Sequence, residues 1–263
     1  MIERTLFSPE HQAFRDSFRR FMAAEIAPHH AAWEEQGYVD KQVWAKAGAL
    51  GFLCMTQPEA YGGFDADKLY SIIQMEELSA AGFSGIGYGL HTEIVAPYLQ
   101  HYGTEAQKQR YLPAMARGEM VGAIAMTEPG TGSDLASIAS TARKDGDRYI
   151  LNGSKTFITN GINSDIIIVA AKTDPTQRHT GMSLMIVERS MVGFERGRNL
   201  EKIGMHSQDT AELFFNDVEV PVENLLGEEG RAFHYLTSNL AQERLSIAIA
   251  GVAFARSALN WTV

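Results

Sequence analysis

Three stretches of this sequence carry residues that could do chemistry. The first is Ala125-Met126-Thr127-Glu128-Pro129-Gly130-Thr131-Gly132-Ser133-Asp134. With two glycines, a rigid proline and three hydroxyl side chains, a loop of this kind can bring backbone amides and hydroxyls close to a ligand. The second is Gly153-Ser154-Lys155-Thr156-Phe157-Ile158-Thr159-Asn160-Gly161, where hydroxyls flank an aromatic ring. The third is Gln242-Glu243-Arg244-Leu245, a carboxylate and a guanidinium side by side where a helix turns almost wholly apolar. A polar hairpin loop would also account for the first stretch, and a solvated ion pair for the third. Elsewhere the signals are weaker. His29-His30 is the only adjacent pair among eight histidines, with no carboxylate or cysteine at ligand spacing, so no metal site is expected. Cys54, the only cysteine, excludes an internal disulfide or thiolate cluster and reads as a small core residue in a reducing compartment. Met55, Met75 and Met182 read as core filling.

These residues need elements to position them. With 263 residues, 45% of them apolar, the chain can bury a sizeable core. Its formal charge of -9 argues against a broad basic face for nucleic acid, so any anionic ligand must be met locally. Met1, Ile2, Glu3 and Arg4 lead into a polar amphipathic stretch without the apolar core of a signal peptide, and a cytoplasmic location is expected. Ser8 before Pro9 marks a helix start, and Phe14, Phe18, Phe21 and Met22 follow at helical spacing. Further helices are expected over Val43 to Leu50, Asp67 to Ala81 and Thr104 to Met115, giving a helical N-terminal domain over residues 1–118. The glycines of Tyr61-Gly62-Gly63 and Gly85 to Gly89 are loop punctuation.

From Val121 the period shortens. Runs rich in β-branched residues span Val121 to Met126, Ser140 to Lys144, Arg148 to Leu151, Lys155 to Thr159, Asp165 to Ala171, Met182 to Glu188 and Ala211 to Val220. Asp145-Gly146 and Asn152-Gly153 each predict a hairpin, because both residue types accept positive φ. The expectation is a compact antiparallel, barrel-like β domain over residues 119–229. Helical spacing returns after Gly230, so residues 230–263 begin a C-terminal helical bundle, and the fold class is α+β with segregated elements. The apolar run between Arg244 and Arg256 is too short to span a bilayer. Its bundle partners would come from another subunit, or the sequence is a fragment of a longer protein.

The first two stretches, at their spacing, resemble the acyl-CoA dehydrogenase family. Gly197 to Met205, Gln208 to Phe215 and Leu225 to Glu229 extend the resemblance, most closely to the long-chain branch. What the resemblance implies is a flavoprotein binding FAD and an acyl-CoA, homotetrameric when complete, that passes electrons to an electron-transferring flavoprotein. Ile124, Met126, Thr127, Gly132 and Ser133 match the family's first flavin-contacting segment, with Thr127 on the pyrimidine edge and Ser133 on the pyrophosphate. Phe157, Ile158 and Thr159 match the second, with the ring against the flavin and the Thr159 hydroxyl near N5. Ser133 would also meet the substrate. Many relatives carry Trp at the Phe157 position and Tyr at the Ile124 position, so the packing on the flavin differs.

The resemblance also implies the chemistry: a carboxylate base takes the α proton of a saturated acyl thioester while the β hydrogen leaves as hydride, in a fatty-acid β-oxidation step. Glu243 matches the base of the long-chain and isovaleryl branches, with Arg244 setting its ionisation and contacting substrate. A base beyond Val263 is the alternative used by many relatives. His91, Thr92 and Glu93 match the floor of the acyl pocket, and Gln177-Arg178-His179 falls where relatives approach the CoA end. Two rival functions share the architecture: an acyl-CoA oxidase using dioxygen, and a non-catalytic flavin- or acyl-CoA-binding module.

Overall fold

The computed structural model describes residues 4–263, so the reading of Met1, Ile2 and Glu3 lies outside the described residues. Helix α1 (Pro9–Phe21) opens on a reciprocal cap, in which the His11 amide donates to the Ser8 hydroxyl and the Ser8 amide donates to His11 Nδ1. It runs on through a π-helical turn, Met22–Ile26. Helices α2 (His30–Gln36), α3 (Lys41–Ala49) and α4 (Lys68–Ala80) complete a bundle around Phe18, Phe21, Trp33, Trp44 and Tyr88. A second π-helical turn, Leu90–Val95, leads into α5 (Ala96–Tyr102), and α6 (Glu105–Ala116) starts on a Thr104–Gln107 capping box. Such turns widen the helix by one residue and recur at functional sites.

The eight strands are β1 (Gly122–Ala125), β2 (Thr141–Asp145), β3 (Arg148–Thr159), β4 (Ile166–Lys172), β5 (Met182–Glu188), β6 (Phe194–Asn199), β7 (Thr210–Pro221) and β8 (Leu225–Leu226). They form one sheet in the order β6-β7-β3-β2-β4-β5-β8, with β1 added on β4. Two expectations are corrected here. The sheet is mixed, because β1 pairs with β4 in parallel and Thr141 of β2 meets Lys172 of β4 in parallel. Period-2 patterning reports which face is buried but not strand direction. And Asn152-Gly153 is no hairpin: β3 runs straight through it, and Gly153, at φ +145°, sits at a register shift against β7. The site tolerates only glycine, since an added Cβ would lie 2.2 Å from the Ser140 hydroxyl. Asp145-Gly146 does turn the β2–β3 hairpin.

Both faces of β4 are covered. Ile166, Ile168 and Ala170 pack with the helical side, including Tyr98, Leu112 and Leu236, while Ile167, Val169 and Ala171 face Tyr149, Leu151, Phe215 and Val220 across the curled sheet. After the sheet, α7 (Ala232–Thr262) runs back along α4. Leu245, Ile247, Val252, Leu259 and Trp261 on it are exposed. Among the described residues, no helix is long and apolar enough to cross a membrane.

His91 is the link between helices and sheet. It is fully buried; its Nδ1 accepts from the Gly122 amide at 3.0 Å, which leaves the proton on Nε2 to donate to the Met115 carbonyl at 3.1 Å. Sequence resemblance puts it on the acyl-pocket floor, but its neighbours Leu90 and Ile94 line the cavity instead. Burial pulls the His91 imidazole down to about 4 from its ordinary 6.5. The unfolded chain therefore binds a proton over a pH range where the folded chain does not, and stability falls as pH drops from 6.5 toward 4. His91→Gln should be less stable than the parent at pH 7, and the gap between the two in urea titrations should narrow at pH 5. A gap independent of pH would mean that His91 titrates alike in the folded and unfolded chains.

Candidate functional site

The first flavin-type segment is pushed out of the sheet by topology. β1 and β2 occupy successive stretches of one edge of β4, so residues 126–140 leave that edge after Ala125 and return to it at Thr141. The excursion begins at Met126 and Thr127, both half-buried, and reaches an exposed tip at Gly130, Gly132 and Ser133. Ile124 lies within β1, buried in the core. Loops of this length carry backbone groups that the ladder cannot satisfy. Here Glu128, buried in the sheet's edge, satisfies two of them: its oxygens accept from the amides of Ala139 at 2.6 Å and Ser140 at 3.0 Å.

Lys155 completes the clamp. Its ammonium, fully buried, donates to the Met126 carbonyl at 3.0 Å and to Glu128 Oε1 at 2.9 Å. The Thr156 amide adds a 3.0 Å bond to the Thr127 carbonyl, so the two segments are joined side by side. Burial works to raise the Glu128 carboxyl, but the Lys155 charge and hydrogen bonds from Ala139, Ser140 and Lys155 outweigh it and hold it below the ordinary range. Burial lowers the Lys155 ammonium, with Glu128 opposing. The sequence reading gives neither residue a role in the site. The signal that could have found the pair is a lone lysine inside a β run, Lys155, following a loop whose only charged residues are Glu128 and Asp134.

The second segment is shaped by a bulge. The pairing of β3 with β7 slips between Lys155 and Ile158, and Phe157 adopts φ +59°. For a bulky residue that conformation is a true outlier, of the sort that gathers at functional sites. It turns the Phe157 ring outward, 68% exposed, while Ile158 is buried and Thr159 half-buried. Asn160, also at positive φ, anchors the end of the segment by donating to the carbonyls of Gly87 at 3.2 Å and Gly122 at 3.3 Å.

Thr159 lines an apolar cavity of about 290 Å³ with Leu78, Ile86, Leu90, Ile94, Ile247 and Ala250. Glu243 lies on α7 one turn before Ile247, beside Ile94, in a small cleft that adjoins this cavity. Burial raises the Glu243 carboxyl; a hydrogen bond from Tyr98 and the charge of Arg244 act against it. The contact comes from Tyr98, whose hydroxyl donates to Oε1 at 3.0 Å, whereas exposed Arg244 forms no ion pair among the described residues. A larger cavity of about 510 Å³, lined by Arg15, Arg19, Glu76, Glu77 and Arg256 between α1, α4 and α7, touches neither flavin-type segment. On the far side of the loop Arg178 pairs with Asp134 at 2.9 Å, bringing the exposed Gln177-Arg178-His179 turn beside Ser133. Cys54 is buried, and burial pushes its thiol up to about 12, as an inert core residue requires.

The residues present fit a flavin. A Cβ added at Gly130 or Gly132 would meet only open space, so the loop leaves room for a ligand. Among the described residues the hydroxyls of Thr127, Ser133 and Thr159 have no partner within the chain. Family models for the acyl-CoA dehydrogenase N-terminal domain and the acyl-CoA dehydrogenase middle domain match residues 8–119 and 123–218. A crystal structure of an acyl-CoA dehydrogenase from Geobacillus kaustophilus is 54% identical, with a TM-score of 0.94, covering 97% of this chain and 68% of that one. The acyl-CoA dehydrogenase of Bacillus anthracis complexed with FAD is 35% identical at a TM-score of 0.89, covering 96% of this chain and 44% of that one. The chain belongs to the acyl-CoA dehydrogenase family, as the two segments led us to expect. The mitochondrial long-chain specific acyl-CoA dehydrogenase of Sus scrofa is 49% identical over 247 residues, 93% of this chain; the chain spans 57% of that relative's length.

Removing one partner of a buried ion pair leaves the other charge uncompensated. Lys155→Met should therefore lower stability by about 3–5 kcal/mol in denaturant titration. Glu128→Gln, which leaves the Lys155 charge buried and puts an NH2 donor where one of the two oxygens accepts from the amides of Ala139 and Ser140, should cost at least as much. Losses within experimental error for both variants would show that the clamp is dispensable.

Proposed function

We propose that this chain forms the cofactor- and substrate-binding part of an FAD-dependent acyl-CoA dehydrogenase of the long-chain class, with Glu243 as the base. The observation that carries the reading is the half-buried Glu243 carboxyl in a cleft that shares Ile94 with an apolar cavity also lined by Thr159. The FAD would lie along Thr127, Gly132, Ser133, Phe157 and Thr159, with Ile124, Met126 and Ile158 setting the backbone behind them. When bound, the flavin supplies the acceptor for the β hydride.

What the protein supplies is a half-buried base beside an apolar cavity. Burial raises the basicity of Glu243 toward what removal of a proton next to a thioester carbonyl demands. Its carboxylate takes the α proton, and the C–H electron pair moves into the developing Cα–Cβ double bond. The apolar walls from Leu78 to Ala250 would take an alkyl chain, whose binding would displace water from the cavity. Arg244 and Ser133 would meet the polar part of the substrate. An electron-transferring flavoprotein as acceptor and a homotetrameric assembly accord with family membership, and the apolar side chains exposed along α7 favour assembly. The single buried thiol suits a reducing, cytoplasmic setting.

Glu243→Gln should leave the bound-flavin absorbance intact and reduce α-proton exchange of acyl-CoA by about 100-fold or more. Exchange at the parent rate would sink the assignment of the base. Fast reoxidation of the reduced protein by dioxygen in stopped flow would replace the dehydrogenase with an oxidase.

A further inference from the structure

The geometry points to Tyr98 as a positioning residue for the proposed base: its phenol holds Glu243 Oε1 and leaves Oε2 as the oxygen that receives the α proton. This rests on the reading of Glu243 as the base. Tyr98 lies on α5, on the opposite side of the interface from α7, and is 1% exposed. Its hydroxyl donates to Oε1 at 3.0 Å, and Oε2 has no hydrogen bond among the described residues. A glutamate side chain has three rotatable bonds, so a carboxylate on a helix surface samples many orientations. One fixed oxygen removes most of them and aims the other.

The phenol is itself held. The Tyr98 ring lies 6.0 Å from Tyr102, which stacks at 4.0 Å on Tyr235 near the start of α7. The level of α7 is set by Gln242, whose side-chain amide donates to the Glu93 carbonyl at 2.8 Å. α7 is thus tied to α5 and to the π-helical turn before it on either side of the Tyr98–Glu243 bond.

Among the described residues, the other groups around Glu243 leave Tyr98 as its only direct donor. From α7 itself come Arg244, exposed and unpaired among the described residues, and neutral Asn239 and Gln242. From the π-helical turn comes Glu93, whose carboxylate is taken by Lys68 at 2.7 Å and Ser71 at 2.7 Å. From α5 come Pro97 and Tyr98. A donor to the carboxylate favours its charged form, so Tyr98 counteracts the effect of burial and keeps the base deprotonated at lower pH.

The test is the pH profile of deuterium release from C2-deuterated palmitoyl-CoA by the flavin-loaded protein under anaerobic conditions. In Tyr98→Phe, which removes one oxygen and keeps the ring, the acid limb should move up by about one pH unit. Release at a pH below the parent's limb should fall about tenfold beyond the fall in the high-pH plateau, which loss of the aimed oxygen also lowers. A residue that only fills space would lower the plateau or the stability and leave the limb where it is. An unmoved limb therefore overturns the proposal. Should Tyr98→Phe not accumulate, 3-fluorotyrosine at position 98 offers a stronger donor in nearly the same volume, and the limb should move down; no movement overturns the proposal equally. Glu243→Gln run alongside separates the two readings, because release that survives in it removes the base itself, whereas its loss with an unmoved Tyr98→Phe limb removes only the role of Tyr98.

Discussion

A charge placed inside a sheet edge must be answered on the spot, and the Lys155–Glu128 pair is where this chain meets that demand. Glu128 accepts two backbone amides as well as the ammonium, and Lys155 donates to a backbone carbonyl as well as the carboxylate. Each member therefore fastens main chain, so the excursion between β1 and β2 has one shape. A pair of apolar side chains could fill the same volume and would avoid the desolvation of two charges. It could not satisfy the amides of Ala139 and Ser140, and the loop would lose its anchor. Because the backbone is satisfied from inside, the outward hydroxyls of Thr127 and Ser133 stay free for a ligand.

The same local answering governs charge near the loop. The chain is acidic overall, yet the two carboxylates of this segment are neutralised where they stand, Glu128 by Lys155 and Asp134 by Arg178. An anionic cofactor approaching the glycines thus meets amides and hydroxyls rather than bare negative charge. At the other wall the balance is reversed. Among the described residues Glu243 has no cationic partner in contact, and its carboxylate is held by a neutral phenol, which orients it without the strong stabilisation that would blunt a base.

Much of this was legible in the sequence, for reasons that are local. Ser8, Asp67 and Thr104 cap the helices they precede, because a side-chain oxygen two or three residues before an amide needs no tertiary information. The β runs are legible because β-branched residues gather in short stretches between turn signals, although β1 and β4 are buried at every position and do not alternate. What was missed depends on distant partners. β6 is short and polar, so alternation was absent. Gly153 reads as a turn until Ser140 is seen pressed against it. The parallel direction of β1 follows from where its loop returns and not from its composition. Lys155 and Glu128, like Tyr98 and Glu243, lie far apart in sequence and share no regular spacing that would pair them. The flavin-type segments were recognisable as motifs, but the bulge that displays Phe157 was not.

The parallel pairing of β1 with β4 has a consequence for how the protein comes into being. β1 cannot be seated until the β2–β3 hairpin and all of β4 have left the ribosome, and β3 finds its full partner only when β7 is made. Contacts of such sequence separation carry a large loop-closure cost before any reward, which slows folding and exposes strand edges meanwhile. The N-terminal helices, with their local contacts, are complete much earlier. Synthesis thus presents a finished helical surface on which the late strands can dock, and His91 holds the acceptor for the first of them, the amide of Gly122.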